Sequence, residues 1–389
     1  MKQNILYPEL ETPAVLLDLD KLEANINEMS RLATEAGVKL RPHTKCHQSV
    51  EIAKMQIEAG ACGIEVGPIE QAAPMAKGGI KDILVAHPFY GSHKLARLKA
   101  LVSNPELKIT VVVDMIEQAE AISQVGEAVG RKIPTFIKID TGVDRYGVLP
   151  GEPALNLAKK LSQLPGIELV GMYAHESGVT PTQEGVDKAA FEVETAMVET
   201  VKLLRSNGLV IKDVAVGASP TFPSTCRYLK EGKFPEITEL HPGARTIGDI
   251  RYMASFGTTR EACALTVLTT VVSTSHPKHV VIDAGFKTFS SDVNIKRRDT
   301  PGFFWNGKPS YGSLQGRTDL WFGRVGAETG LLYYMADNIE PEKRLSLGDR
   351  LEIVPNDATT VVNIHETVYG VRNGRVERKI TITGREQGS

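Results

Sequence analysis

Over roughly the first 250 residues, short runs that are apolar at nearly every position alternate with stretches of helical period, and this alternation is what most restricts the fold. The runs fall at 13–18, 38–41, 63–66, 83–86, 108–113, 135–139, 169–173, 213–216 and 239–240. A strand with one wet face alternates apolar and polar residues, whereas a strand of a parallel sheet covered on both faces is apolar throughout. About eight or nine such βα units in this length predict an α/β fold, a (β/α)8 TIM-like barrel over residues 12–253. A doubly wound open sheet is the alternative, but the first βα turn lacks the GxGxxG that a dinucleotide fold commonly carries there.

After residue 253 the texture changes. Residues 264–273 are rich in Thr and Val, and 279–283, 351–354 and 360–364 read as further strands. Residues 368–372 and 375–379 flank Asn373-Gly374, the signature of a hairpin with a type I′ turn. A mainly antiparallel β domain is therefore expected over 254–385, joined by residues 1–11. Between its strands, residues 290–330 read as a long irregular insertion carrying Trp305, Tyr311, Arg317, Trp321 and Arg324.

Charge excludes several functions. With 45 Lys and Arg against 47 Asp and Glu, and no like-charge block, there is no footprint for nucleic acid or an anionic membrane, so a small molecule is the expected partner. The N-terminus lacks the apolar core of a signal peptide, and no run approaches a membrane span. Cys46, Cys62, Cys226 and Cys263 show no CxxC spacing, which predicts neither zinc knuckle nor disulfide framework and suits the reducing cytoplasm.

The chemistry concentrates at Arg41-Pro42-His43-Thr44-Lys45-Cys46-His47, at the end of a strand. A lysine crowded by Arg41, His43 and His47 has its ammonium form disfavoured, and a neutral amine is what Schiff-base chemistry requires. His43 and His47 also have a plain use, bonding backbone to hold the strand end, and Asp140 and Asp144 suit turns. Two later strand ends, Gly217-Ala218-Ser219 and Pro242-Gly243-Ala244-Arg245, carry small residues whose N–H groups suit an anion.

The heptad resembles the RPHxKxH segment of the D-threonine aldolase and D-serine dehydratase-like family of fold-type III pyridoxal phosphate enzymes. Similarity continues at Thr12-Pro13, at residues 78–84, 139–148 and 239–243, at 281–285, and at 348–350 before 353–355. The resemblance implies pyridoxal 5'-phosphate on Lys45, with Arg145 near its pyridine nitrogen. Tyr173 and His175 would line the pocket, and Gly217, Ala218, Ser219, Gly243 and Ala244 would hold the phosphate. It also implies a homodimer. The chain departs from the family where a His-x-Cys or His-x-Asp pair usually binds a divalent ion: Asp357 and Thr359 stand there, which favours Mg²⁺ or Mn²⁺ over Zn²⁺ if any ion binds. Glu328-Thr329-Gly330 and Arg245 depart too. The expected function is retro-aldol cleavage of a D-β-hydroxy amino acid to glycine and an aldehyde, with His175 or Asp357 assisting at the hydroxyl. The alternatives are a D-serine or D-3-hydroxyaspartate dehydratase, a metal-free racemase, and a non-enzymatic pyridoxal phosphate carrier.

Overall fold

A computed structural model describes residues 6–176, 179–255, 257–290, 304–305 and 308–385. Its strands in chain order are β1 (Ala14–Asp18), β2 (Lys39–Leu40), β3 (Ile64–Val66), β4 (Asp82–Val85), β5 (Lys108–Val113), β6 (Ile133–Ile139), β7 (Ile167–Ala174), β8 (Asp213–Val216) and β9 (Glu239–Leu240). These are followed by β10 (Leu265–Ser273), β11 (His279–Ile282), β12 (Phe304–Trp305), β13 (Lys308–Pro309), β14 (Gly312–Leu314), β15 (Leu320–Val325), β16 (Gly330–Tyr334), β17 (Arg350–Pro355), β18 (Thr367–Arg372) and β19 (Arg375–Thr381). Contacts divide the chain into two compact units. One is Ile26–Gly243; the other combines the stretch through Asn25 with Ala244–Arg385.

The first unit is the expected parallel barrel. Its eight strands lie in the order β2-β9-β8-β7-β6-β5-β4-β3. The two ends of that order meet through a parallel bridge between His43 and Glu65, with Cys62 N–H donating to Leu40 O and Glu65 N–H to Pro42 O, each at 2.9 Å. Helices follow every strand from β2 to β8. The β-branched run of β5, Lys108-Ile-Thr-Val-Val-Val, is buried after its first residue, as a strand covered on both faces must be. Leu84, Val112, Phe136, Tyr173 and Ala215 pack together as one cluster. Gly171 is required beside them, because a Cβ there would stand 2.5 Å from Asp213 O and 2.8 Å from the Phe136 ring.

The second unit is a mainly antiparallel sheet ordered β15-β16-β11-β10-β1-β18-β19, with β17 pairing both β10 and β14. Three expectations are corrected here. Residues 14–18, counted above as the first barrel strand, run between β10 and β18 in this sheet. Their apolar pattern is the same in either setting, so periodicity could not tell which sheet would take them. Residues 360–364 lie in a helix, Ala358–Ile364, because Asp357 caps it through Thr360 N–H at 3.1 Å. The insertion at 290–330 is not irregular throughout, since β14, β15 and part of β16 arise from it; residues 291–303 and 306–307 lie outside the described residues. The 373–374 turn is as expected, both residues having positive φ, 50° and 71°.

Several motifs quoted above serve this sheet. Asp283 accepts from the hydroxyls of Thr12 (2.5 Å) and Thr269 (2.6 Å), and Arg350 donates to the carbonyls of Leu6, Tyr7 and Leu10. Leu16 is fully buried at the centre of the sheet. Leu16→Ala should lower the unfolding free energy by about 2–5 kcal/mol, measured by chemical denaturation. A loss under about 1 kcal/mol would mean that β1 is peripheral.

Candidate active site

Lys45 lies in a single turn of 3₁₀ helix, Thr44–Cys46, directly beyond β2. His43 caps this turn: its Nδ1 accepts from Lys45 N–H at 3.2 Å, which makes Nδ1 the unprotonated nitrogen. Cys46 is fully buried and its Sγ approaches Gly243 O at 3.2 Å, so it acts as a small packing group. His47 accepts from Ser49 N–H and contacts Gln56 Oε1. Both histidines therefore have the plain structural use.

The Lys45 side chain lines a cavity at the C-terminal ends of the strands together with His43, Glu65, His87, Lys138, Arg145, Tyr146, Tyr173 and His175. This is the face where barrels of this kind carry their chemistry. The structure thus brings together Lys45, Arg145, Tyr173 and His175, four of the residues expected from sequence. Asp140 is a turn former, its Oδ1 accepting from the N–H groups of Gly142, Val143 and Asp144. Arg145 is exposed, with its guanidinium carbon 4.4 Å from the centre of the Tyr146 ring, and has no carboxylate partner among the described residues. Tyr173 is buried, and its hydroxyl donates to Glu65 Oε1 at 2.9 Å.

Sequence reasoning missed Glu65, His87, Lys138 and the role of Tyr146. A signal was present for two of them: Glu65 and Lys138 are lone charges in strands that are otherwise apolar, and such residues are expensive to bury without a partner or a task. Lys138 lies with Nζ 3.4 Å from the centre of the Tyr173 ring. Burial pulls its pKa down to about 7, against the pull of Glu65 and with the help of Arg145. Burial also lowers His175 to about 3, with Lys45 and Lys138 adding to the effect, and lowers His87 to about 4, with Arg145 adding. Both imidazoles are neutral at physiological pH and can accept a proton.

Gly217, Ala218 and Ser219 follow β8, and Gly243 follows β9. The two loops are tied by Gly243 N–H donating to Ser219 Oγ at 3.0 Å. Gly217 must lack a side chain, since a Cβ would stand 2.7 Å from His241 N. The N–H groups of Gly217 and Ala218 have no partner among the described residues, which leaves an open pair of donors at a strand end, suited to a phosphate. Ala244, next in the chain after Gly243, is buried. A primary amine and an open anion cradle at the same end of one barrel fit pyridoxal phosphate.

The residues at 357 and 359 do not fit a metal in the same way. Asp357 belongs to the other unit, where it caps the helix that follows it and pairs through Oδ2 with Arg251 at 2.7 Å. Thr359 lies inside that helix. No group of three or more His, Cys, Asp or Glu able to hold an ion occurs among the described residues. His365 contacts Thr288 O and serves the fold.

A barrel with a lysine beyond a strand end, beside neutral imidazoles and an open anion cradle, defines an enzyme that takes a phosphate-bearing carbonyl cofactor. The chain belongs to the alanine racemase N-terminal domain family, whose model matches residues 17–243, and a serine dehydratase domain matches 264–371. It is 29% identical to the 3-hydroxy-D-aspartate aldolase of Paracoccus denitrificans (strain Pd 1222), over 98% of this chain and 93% of that one. Identity to the D-threo-3-hydroxyaspartate dehydratase of Delftia sp. (strain HT23) is 32%, over 90% and 91%. Among solved structures, the D-threonine aldolase from Filomicrobium marinum superposes with a TM-score of 0.84 at 26% identity, covering 99% of this chain and 98% of that one.

Buried ionisable groups set the response of stability to pH. His43 (about 3), His47 (about 4), His87 and His175 are lowered chiefly by burial. They stay neutral when folded and take protons when unfolded, so their contribution is lost as pH falls below about 6.5. Burial raises Glu176 and Asp249 to about 7 and Glu194 to about 8. These hold protons in the folded state that the unfolded chain releases, so their contribution is lost as pH rises towards those values. In the weakly acidic range the two sets nearly offset. The melting temperature should therefore peak near pH 6.5, fall gently to about pH 4.5 and steeply below, and fall again just above pH 6.5 until Lys138, lowered to about 7, begins to offset the loss from Glu194. Glu194→Gln should reduce the alkaline loss; a melting temperature that climbs steadily from pH 6.5 to 9 would contradict the assignment.

Proposed function

We propose that this chain is a pyridoxal phosphate-dependent lyase that splits the Cα–Cβ bond of a D-configured β-hydroxy amino acid, giving glycine and an aldehyde. The observation that carries this reading is the placement of Lys45 in one cavity with the neutral imidazole of His175, in a chain of this family. When bound, pyridoxal phosphate supplies the carbonyl that Lys45 engages and an electron sink for the pair left on Cα. Lys45 would hold the cofactor through its amine. The N–H groups of Gly217 and Ala218 bind the phosphate, and Ser219 and Gly243 keep the two loops together. Arg145 can only donate hydrogen bonds and serves an acceptor on the cofactor ring.

His175 takes the β-hydroxyl proton on a ring nitrogen as Cα–Cβ breaks. The carbon and oxygen of that hydroxyl leave as the aldehyde, the electron pair stays with the Cα fragment, and a proton returned to Cα completes glycine. Expulsion of hydroxide, the dehydratase route, leans on a Lewis acid at the same oxygen. In this chain Asp357 is engaged with Arg251 and Thr360, and that favours the aldolase route.

The family's fold-type III character makes a homodimer part of this proposal, and light scattering should report twice the 42.3 kDa of one chain. No helix among the described residues is long and apolar enough to cross a membrane, and no disulfide joins the four cysteines, which agrees with a cytoplasmic enzyme.

The purified protein should absorb near the visible, and Lys45→Ala should lose both that band and borohydride trapping. Incubation with D-threonine, D-serine and D-3-hydroxyaspartate should yield glycine; keto acid without glycine would instead establish a dehydratase. His175→Asn should lower kcat by about 10²–10⁴-fold while the cofactor stays bound. Unchanged turnover would remove His175 from the base role.

A further inference from the structure

Behind the cavity, ionised groups form a continuous ladder through the barrel. Arg41 donates from Nη1 to Asp82 Oδ1 and from Nε to Glu239 Oε1, each at 2.6 Å. Glu239 Oε1 meets His241 Nε2 at 2.7 Å, and His241 Nδ1 stands 2.8 Å from Glu65 Oε2 in an ion pair whose geometry is not that of a hydrogen bond. Glu65 Oε1 accepts from the Tyr173 hydroxyl and lies 3.7 Å from His43 Nε2. Arg41, Glu65, Glu239 and His241 are each at most 4% exposed.

We propose that Glu65, backed by His241, is a positioning residue that holds the Tyr173 hydroxyl as a donor, attracts the ring proton of His43 across 3.7 Å and thereby fixes the turn carrying Lys45. This deepens the lyase reading and rests on it for its catalytic consequence, though not for its geometry. His43 accepts on Nδ1 from the Lys45 backbone, so its ring proton sits on Nε2, which lies 3.7 Å from the Glu65 carboxylate, within electrostatic attraction but beyond a hydrogen bond. An imidazole held so has no free lone pair with which to take a substrate proton. The Tyr173 hydroxyl has its proton turned to Glu65, and its ring packs against His241 with centroids 4.7 Å apart. The cavity then retains His175 and His87 as its open imidazoles.

The position of Glu65 follows from its surroundings. Burial opposes the negative charge, but His43, His241 and Lys138 hold its carboxyl below the ordinary range. Burial likewise opposes a charge on His241, and Glu65 and Glu239 on its two sides outweigh that and raise its pKa. The charged and titratable groups around the pair come from every side: His43 after β2, His87 after β4, Lys138 on β6, Tyr173, His175 and Glu176 on and after β7, and Glu239 on β9. A carboxylate held by an imidazolium on one oxygen has the other available to orient neutral donors.

Glu65→Gln keeps the shape and removes the charge, and two measurements read the result. In protein freed of cofactor, ¹⁵N spectra of the histidines should show His241 keeping its second proton to a higher pH than a free histidine does, and losing that upward displacement in the variant. In the loaded enzyme, Glu65→Gln should retain borohydride trapping at Lys45 yet lose kcat at least tenfold with KM little changed, and its kcat–pH profile should shift. Tyr173→Phe, which removes one group that Glu65 orients and leaves the charge ladder in place, should lower kcat by less than Glu65→Gln does and keep the wild-type pH profile. A His241 that titrates no higher than a free histidine in the wild type, wild-type kcat and pH profile in Glu65→Gln, or a lost limb of the profile in Tyr173→Phe would each overturn the proposal. Should Glu65→Gln fail to fold, the His241 spectrum and Tyr173→Phe still decide. A wild-type protein that binds no cofactor would sink the lyase reading alone and leave the spectral test standing.

Discussion

The parallel sheet closes where β2 meets β3, and the site hangs from that seam. Both strands are short, so closure falls to the residues just beyond them: the His43–Glu65 bridge and the backbone bonds at Leu40 and Pro42. The same two residues supply the cap of the Lys45 turn and the carboxylate under the cavity. Closing the barrel and presenting the amine are therefore one structural event. A seam made only of apolar side chains would close the sheet as well and would orient nothing.

That arrangement is costly in the abstract. Buried ions lose their hydration, and a well-packed apolar core of equal volume is often as stable or more so. The barrel offsets the cost by strict alternation of sign along Asp82, Arg41, Glu239, His241 and Glu65, so that every charge has an opposite neighbour. Removing one member leaves its neighbours buried without their partners, which is worse than never having had the pair. The ladder is accordingly a cooperative unit, and its return is directional: it ends on hydroxyl and imidazole groups whose protons must point one way.

In the second unit Asp357 has a structural task. Asp357 stands where relatives are expected to place a metal-binding imidazole, but here it caps a helix and pairs with Arg251. A carboxylate at an N-cap is held by backbone N–H groups and by the positive end of the helix, so its lone pairs are largely spoken for. Burial raises the Glu176 carboxyl even though Lys138 and His241 pull it down, and raises Glu194 with the Glu176 charge adding to the effect.

The sequence by itself determined the parallel barrel and the second sheet, because each is written in local pattern, continuous apolar runs and a hairpin dipeptide; the heptad dense in cations singled out Lys45, and its family resemblance named the cofactor. Its resemblance to the family named Arg145, Tyr173 and His175 as neighbours of Lys45, and the cavity contains all four. The sequence could not assign residues 14–18 to a sheet, since an apolar strand reads alike in either, and it could not tell that 360–364 would follow a cap into a helix. Only the tertiary structure decided that Glu65 and Lys138 enter the site and that Asp357 is engaged elsewhere. The physical reason is that the partner of a buried charge lies far off in the chain: Glu65 meets His241 across 176 positions and Tyr173 across 108. No local pattern records a contact of that span.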